Sequence, residues 1–318
     1  TFDEMIDYKE GDRGFKVKAE DTYGYITIST LPVTYKTIPG PSLTLTESTI
    51  FAGTDAKKGV PVQIESVRGV HEVVIYRIEN GSEVEALRET KNGEHTLNYA
   101  PEIDFTEATS KLKVVVSDGR EGKEAIGYVK AYVNMDVATL NVGSQPLANN
   151  AHVKYPDAFG MVSLNDLKTY SVDYAIANEV NAKNVDFKFY CFGASGSPRL
   201  YSMDNTGKDG EFSGSTGKLS AIKVKNLTRF AILSNFDYEN ATVASISSEI
   251  LSSSIAQSLL DPIAVGNVIA FRTGGSSAAG GGRIGVMKVI NITEPKELVS
   301  NNATARVMTV EIKFPKKK

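Results

Sequence analysis

Two stretches of this chain are versions of one another. IDYKEGDRGFKVKAED at residues 6–21 aligns without gaps to IDFTEATSKLKVVVSD at residues 103–118, so Ile6 meets Ile103 at an offset of 97 residues. Asp7/Asp104, Glu10/Glu107, Lys16/Lys113, Val17/Val114 and Asp21/Asp118 are also identical, and Tyr8/Phe105 and Phe15/Leu112 keep their apolar character. A repeat constrains a fold strongly, because one unit must then occur twice.

In both copies an alternating run (Phe15, Val17, Ala19; Leu112, Val114, Val116) leads into a turn and a second alternating run, the pattern of a β-hairpin. A period near 97 residues matches the length of an immunoglobulin-like sandwich, about 100 residues. The second copy can be followed from its start. Leu43 and Leu45 come after the Pro39-Gly40-Pro41 break, Val60, Val62 and Ile64 alternate, and EVVIYRI (72–78) and AIGYVKAYV (125–133) complete it. Asn80-Gly81, Asn92-Gly93 and Asp118-Gly119 supply the positive φ angles of tight turns. Residues 1–38 read as the closing strands of a truncated Ig-like domain and residues 39–135 as a whole one.

From residue 136 the pattern stops. Runs beginning at Ala138, Val185, Lys218, Arg229, Asn267, Arg283 and Arg306 read as strands, and helices are expected near 171–180, capped by Ser171, and near 248–260, stopped by Asp261-Pro262. The fold class expected is mainly β: Ig-like β-sandwich modules followed by a larger β-rich domain (136–318) with one or two helices.

Charge narrows the partners. Thirty-five basic against 38 acidic residues leave a net charge of −3, so no basic field invites nucleic acid. The one dense basic run, Lys316-Lys317-Lys318, reads as a solvated end. A single cysteine, Cys191, excludes an intramolecular disulfide and sits in VDFKFYCFG as a buried strand position. The chain begins at Thr1 without Met, charged leader or apolar h-region, so any export signal is expected to have been removed or to lie outside this stretch.

The chemistry-bearing motifs mostly fail. Gly280-x-Gly282-x-x-Gly285 has dinucleotide spacing, but RIGVMKVINI follows it as a strand and no helix is presented to a phosphate, so it reads as a flexible hairpin loop and no nucleotide is expected. His71, His95 and His152 show no helical zinc spacing, and GASGS (193–197) does not fit a nucleophile elbow. DNTGKDGE (204–211) departs from the EF-hand register, with Lys208 at a ligand position, and reads as an exposed polar loop. Trp is absent, so a sugar platform would fall to Tyr and Phe, with Tyr23 and Tyr25 at the first hairpin tip the most exposed candidates. Asn226, Asn240, Asn291 and Asn302 lie in Asn-x-Thr tripeptides, acceptors only in a eukaryotic secretory route. No catalytic, cofactor-binding or metal-ligating residue is assigned.

KTYSVDYAIANEVNAKNVDFKFY, KNLTRFAI, VGNVIAFRT, IGVMKVINI and MTVEIKF resemble the C-terminal domain of secreted Bacteroidetes lipoproteins, and the Ig-like repeats resemble their stalk modules. The resemblance covers most of the chain and carries no catalytic residue. It implies a lipid anchor on a cysteine upstream of Thr1 and display at the cell surface. The expected role is non-enzymatic adhesion or ligand capture on the loops of the C-terminal domain. The alternative is a surface glycan-binding lipoprotein of a polysaccharide-uptake system. The partner is then a surface polysaccharide or a cell-envelope protein.

Overall fold

The computed structural model describes residues 14–32, 38–294, 297–298 and 302–317. The first half of the repeated block, residues 6–13, lies outside the described residues.

The chain opens on an antiparallel hairpin, β1 (Gly14–Glu20) and β2 (Ile26–Pro32). Its counterpart is β11 (Thr109–Ser117) and β12 (Glu124–Val133), joined by a turn one residue longer. The conserved aspartate starts both turns. Asp21 Oδ1 accepts the Tyr23 and Tyr25 amides at 2.9 Å each, and Asp118 Oδ1 accepts the Arg120 amide at 3.2 Å. The two hairpins differ in what covers them. Val114 is fully buried, whereas its repeat mate Val17 is 55% exposed, because among the described residues β1 pairs with β2 alone. Tyr23 and Tyr25 stand at that tip, 87% and 76% exposed.

Around the second hairpin an Ig-like sandwich is complete. One sheet is β3 (Ser42–Leu45), β6 (Val62–Glu65) and β9 (Thr96–Tyr99); the other runs β4 (Thr49–Ala52), β12, β11, β7 (Glu72–Glu79) and β8 (Ser82–Thr90). The opening strand is divided between the sheets, and its second half, β4, runs parallel to β12. Two short strands, β5 (Lys58–Gly59) and β10 (Glu102–Ile103), close one end. Alternation decides the faces: Leu112, Val114 and Val116 point inward against Val62, Ile64, Val73 and Ile75, while Lys111 and Lys113 point outward.

The second sandwich follows without a linker. Strand β12 ends at Val133, and β13 (Met135–Gly143) begins after Asn134, whose φ of 50° turns the chain. Its first sheet runs β13, β22 (Val307–Pro315), β21 (Ile284–Ile292), β20 (Val268–Arg272) and β18 (Arg229–Leu233), antiparallel throughout. Its second runs β15 (Lys168–Tyr170), β14 (Met161–Ser163), β16 (Phe187–Phe192), β17 (Ser197–Ser202) and β19 (Leu259–Leu260). Phe187, Phe189, Phe230, Phe271, Met287, Val310 and Phe314 fill the space between them. Helices α1 (Val172–Ala177) and α2 (Glu179–Lys183) cover the outside of the second sheet, and α3 (Val243–Glu249) the outside of the first. Central strand β16 is thus buried on both faces, which is why FKFYCF is nearly continuously apolar. Where β14 has ended, Gln145 takes over its pairing with β16: Oε1 accepts the Cys191 amide and Nε2 donates to the Cys191 carbonyl. Burial pushes the Cys191 thiol up to about 12.

Several sequence expectations are corrected. The helix near 248–260 lies earlier, over Val243–Glu249, because Thr242 and Ser245 form a capping box there. Ile250 is extended, the serines of 252–254 make a 3-10 turn, and Leu259 and Leu260 pair with Tyr201 and Leu200. The helix near 171–180 is two helices, broken at Asn178, whose side chain accepts from the Asn181 amide and caps the second. Among its described residues the domain therefore carries three short α-helices. Residues 219–221 in the run from Lys218 form a 3-10 turn instead of a strand, with Leu219 and Ile222 packed in the cluster under α1.

The 204–211 loop is not simply exposed. Asp204 pairs with Arg229 at 2.8 Å, Glu211 with Lys208 at 2.8 Å, and Asp209 is buried with its Oδ1 2.6 Å from the Lys188 ammonium. Lys188 also donates to the Asn205 carbonyl at 3.0 Å, so its charge is compensated inside the layer beneath α1. Removing one partner of such a pair leaves a buried charge without compensation. Asp209→Ala is expected to cost about 3–5 kcal/mol in urea unfolding, and the double substitution Lys188→Met/Asp209→Leu to recover most of it. An equal loss in the double variant would show that packing, not charge, governs the site.

Candidate functional site

The two sandwiches meet through side chains. Tyr132, near the end of β12, is buried in one cluster with Met135, Tyr238, Val243, Ile246 and Val286 of the C-terminal unit. The α3 amide of Ala244 donates to the Glu107 carbonyl at 3.1 Å, and Lys316 N–H donates to the Asn134 carbonyl at 2.7 Å. Beneath this contact Lys313 is buried, its ammonium bonded to the Tyr238 and Glu239 carbonyls and 4.3 Å from the Tyr238 ring centre. Burial, reinforced by the nearby Lys130 charge, lowers its pKa to about 8.

Helix α3 divides the junction into two clefts. On one side Thr242, Ser245 and Glu249 form part of a concavity of about 430 Å³. The Ig-like module completes it with Asn80 and Gly81 of the β7–β8 turn and with Ser110 and Lys111 of β11. Positive φ at both Asn80 and Gly81 gives the tight two-residue turn that carries Asn80 to the rim. Several lining groups are already bonded. Asp237 accepts from the Asn240 amide and side chain, which hold its carboxyl below the usual range, and Ser110 donates to the Ile78 carbonyl. The side chains of Asn80, Lys111 and Glu249 have no hydrogen-bond or ion-pair partner among the described residues.

On the other side Val243, Ile246 and Ser247 face a wider cleft of about 720 Å³. Its walls are Gly280–Arg283 of the β20–β21 loop, Pro315, Lys316 and Lys317 after β22, and Glu107 and Asn134 from the Ig-like side. The glycine-rich stretch and the basic tail, which gave separate and unremarkable readings in sequence, therefore border one cavity. The Lys316 backbone bonds to Asn134 while the Lys316 and Lys317 side chains are exposed, in keeping with the solvated end expected; Lys318 lies outside the described residues.

The loop joins antiparallel strands and is followed by β21, not by a helix whose first amides would meet a phosphate, so it lacks the strand–glycine–helix geometry that receives a pyrophosphate. It is packed, in contrast to the flexible hairpin expected. Thr273 Oγ1 donates to the Gly280 carbonyl, the Ala278 amide donates to the Lys183 carbonyl, and Ser276 donates to Asn226 Oδ1 at 2.7 Å. The Asn226 amide in turn donates to the Lys183 and Val185 carbonyls at 2.8 Å each, so this Asn-x-Thr side chain is fully engaged and buried. Behind it Asp186 is fully buried; its Oδ2 accepts the Leu164 amide at 2.8 Å, and its Oδ1 has no hydrogen-bond partner among the described residues.

None of the three histidines borders either cleft. His95 Nδ1 meets the Ser66 carbonyl, His152 Nδ1 accepts the Lys154 amide, and His71 packs beside Gly119. Among the described residues no group of three or more His, Cys, Asp or Glu side chains is arranged to hold a metal ion. No helix among them is long and apolar enough to cross a membrane.

No family model matches the chain. No curated protein matches it in sequence. Among solved structures it is similar to the crystal structure of the N-terminal eight Ig domains of Down syndrome cell adhesion molecule, at 9% identity and a TM-score of 0.21. That match covers 89% of this chain and 36% of the other, so the chain spans about a third of the length of that structure, and the likeness is too slight to bear on the site.

Burial pushes the Asp186 carboxyl up to about 6. A folded-state value above the ordinary 3.8 means that the fold loses stability as pH rises between these values and carries a constant penalty above them. Asp186→Asn, which can keep the bond from Leu164, is expected to raise the melting temperature by a few degrees at pH 7 and to change it little at pH 3.5. A shift of equal size at both pH values would assign the effect to packing of the glycine-rich loop.

Proposed function

We propose that this chain is a non-enzymatic cell-surface protein of adhesion or ligand capture, with its ligand taken at the junction of the Ig-like module and the C-terminal sandwich. One observation carries the reading: both clefts have walls from both units, and unpartnered polar or charged side chains project into them. Concave sites between modules are where ligands are most often held. The Ig-like module then supplies contacts as well as reach, and the recognition surface extends beyond the loops of the C-terminal domain. Display through a lipid anchor upstream of Thr1 accords with the resemblance to Bacteroidetes surface lipoproteins.

The smaller cleft favours the glycan-binding form of this proposal. An amide, an ammonium and a carboxylate with unused hydrogen-bonding capacity are the groups that exchange bonds with sugar hydroxyls. The aromatic side chains exposed at Tyr23 and Tyr25 belong to the first hairpin and are not among the residues that line this cleft.

A glycan array probed with the whole chain tests the reading, beside a pull-down from cell envelopes. Binding to one polysaccharide class that falls about tenfold or more in Asn80→Ala/Glu249→Ala is expected, since each lost hydrogen bond to a charged group is worth about 1.5–3 kcal/mol. Retention of full binding in that variant would remove the smaller cleft from the mechanism. Silence on the array together with an empty pull-down would remove ligand capture.

A further inference from the structure

The wider cleft has the chemistry of an anion site. Its lining cations are Arg283, Lys316 and Lys317, facing the single carboxylate of Glu107, although the whole chain is net acidic at −3. Glu107 is itself engaged, accepting the Asn134 amide at 3.1 Å. Arg283 lies 4.0 Å over the Phe314 ring and donates to the Ala279 and Pro315 carbonyls, which fixes the guanidinium plane. No carboxylate reaches ion-pair distance of it among the described residues, and partial burial lowers its pKa with Asp136 the one charge opposing. Lys316 touches Asp136 loosely at 3.8 Å with both side chains about half exposed, and Lys317 has no partner among the described residues. Partly desolvated positive charge without an anion is a cost that a bound anion relieves.

We propose that this cleft binds a carboxylate- or sulfate-bearing polysaccharide. The inference rests on the capture reading above and assigns a ligand class to the second cleft. Gly280 and Gly282, at φ of 92° and 76°, hold a conformation that bare backbone adopts readily, and a Cβ on Gly282 would project into open space. The ligand can therefore approach the main chain closely. Ile284, partly exposed over the buried Ile246, gives an apolar floor against which the C–H face of a sugar ring can lie, with its acidic group turned to the three cations. Other polyanions fit less well. Nucleic acid draws its affinity from many phosphate contacts and from aromatic stacking, and among the described residues the cleft is lined by three cations and no aromatic side chain. An extended peptide binds by adding to a free strand edge, whereas the bordering strands β21 and β22 are paired on both sides.

Calorimetric titration of the whole chain with sodium polygalacturonate, dextran sulfate, neutral dextran and poly-glutamate tests the proposal. Binding to one of the two acidic polysaccharides is expected, weakening as salt rises, with neutral dextran inert. Lys316→Gln/Lys317→Gln, which alters two exposed side chains, is expected to weaken it about tenfold or more. Arg283→Lys, which keeps the charge and loses the planar fork, is expected to weaken it as well. Preference for polygalacturonate identifies a carboxylated ligand and preference for dextran sulfate a sulfated one. Poly-glutamate binding as tightly, or an unchanged affinity in the double lysine variant, overturns the proposal. No binding to either polysaccharide, with array binding through Asn80 and Glu249 intact, overturns this site alone; loss of both together with an empty pull-down defeats the capture reading too.

Discussion

Tyr132 belongs by sequence to the last strand of the Ig-like module and by burial to the outer core of the next sandwich. That double membership is the constraint on which the rest depends. A strand that passes from one sandwich into another after one residue, Asn134, leaves no length for a hinge. The aromatic ring is then driven out of water only if the neighbouring sheet supplies cover, which α3, Tyr238 and Val286 do. Because α3 is seven residues long, it fills the middle of the junction and leaves a cleft on each flank.

Two buried lysines show how this β-rich unit handles charge in different layers. Lys188 is neutralised by Asp209 and sits among carbonyls under α1 and α2. Lys313 has no carboxylate at ion-pair distance among the described residues and is held by two carbonyls and the faces of Tyr132 and Tyr238; burial lowers the pKa of both lysines, that of Lys313 to about 8. Linkage gives the sign: with a folded value near 8 against 10.5, Lys313 adds stability as pH rises from 8 toward 10.5 and costs stability below. The junction therefore spends stability at neutral pH to keep an ammonium at its centre, and the fixed carbonyls of Tyr238 and Glu239 are what it orients.

Period and alternation made much of the fold legible. The second hairpin copy, the Ig-like strands and six of the seven strand runs in the C-terminal unit follow from period-2 patterns whose apolar residues face a sheet interior, while the first copy shows the same alternation with its apolar residues exposed. What misled was local. The apolar spacing of Ile250, Leu251, Ile255, Leu259 and Leu260 mimics a helix face, yet the start signal, Thr242 with Ser245, lies upstream and the serines that follow are weak helix formers. In the run from Lys218, Leu219 and Ile222 are three apart because they serve a 3-10 turn under α1. The site was less legible than the fold. Its parts come from positions near 80, 107, 134, 245, 280 and 316, and no local pattern announces that an edge turn, a short helix and a chain end will meet.

The glycine-rich stretch shows how a motif can fail in its usual sense and still matter. Its spacing resembles a phosphate cradle, but a cradle works through a helix whose first amides point at the anion, and β21 has its amides committed to β20 and β22. Removing the helix removes directed amide donors, so any anion there must be met by side chains. The hairpin supplies one from its own end: Arg283, locked over Phe314, stands beside the glycines it follows in sequence. Sheet pairing supplies the rest, since β22 runs antiparallel to β21 and delivers Lys316 and Lys317 to the end of the sheet where the loop emerges. Positive charge collects there because of strand order, with no basic run beside the glycines in the sequence.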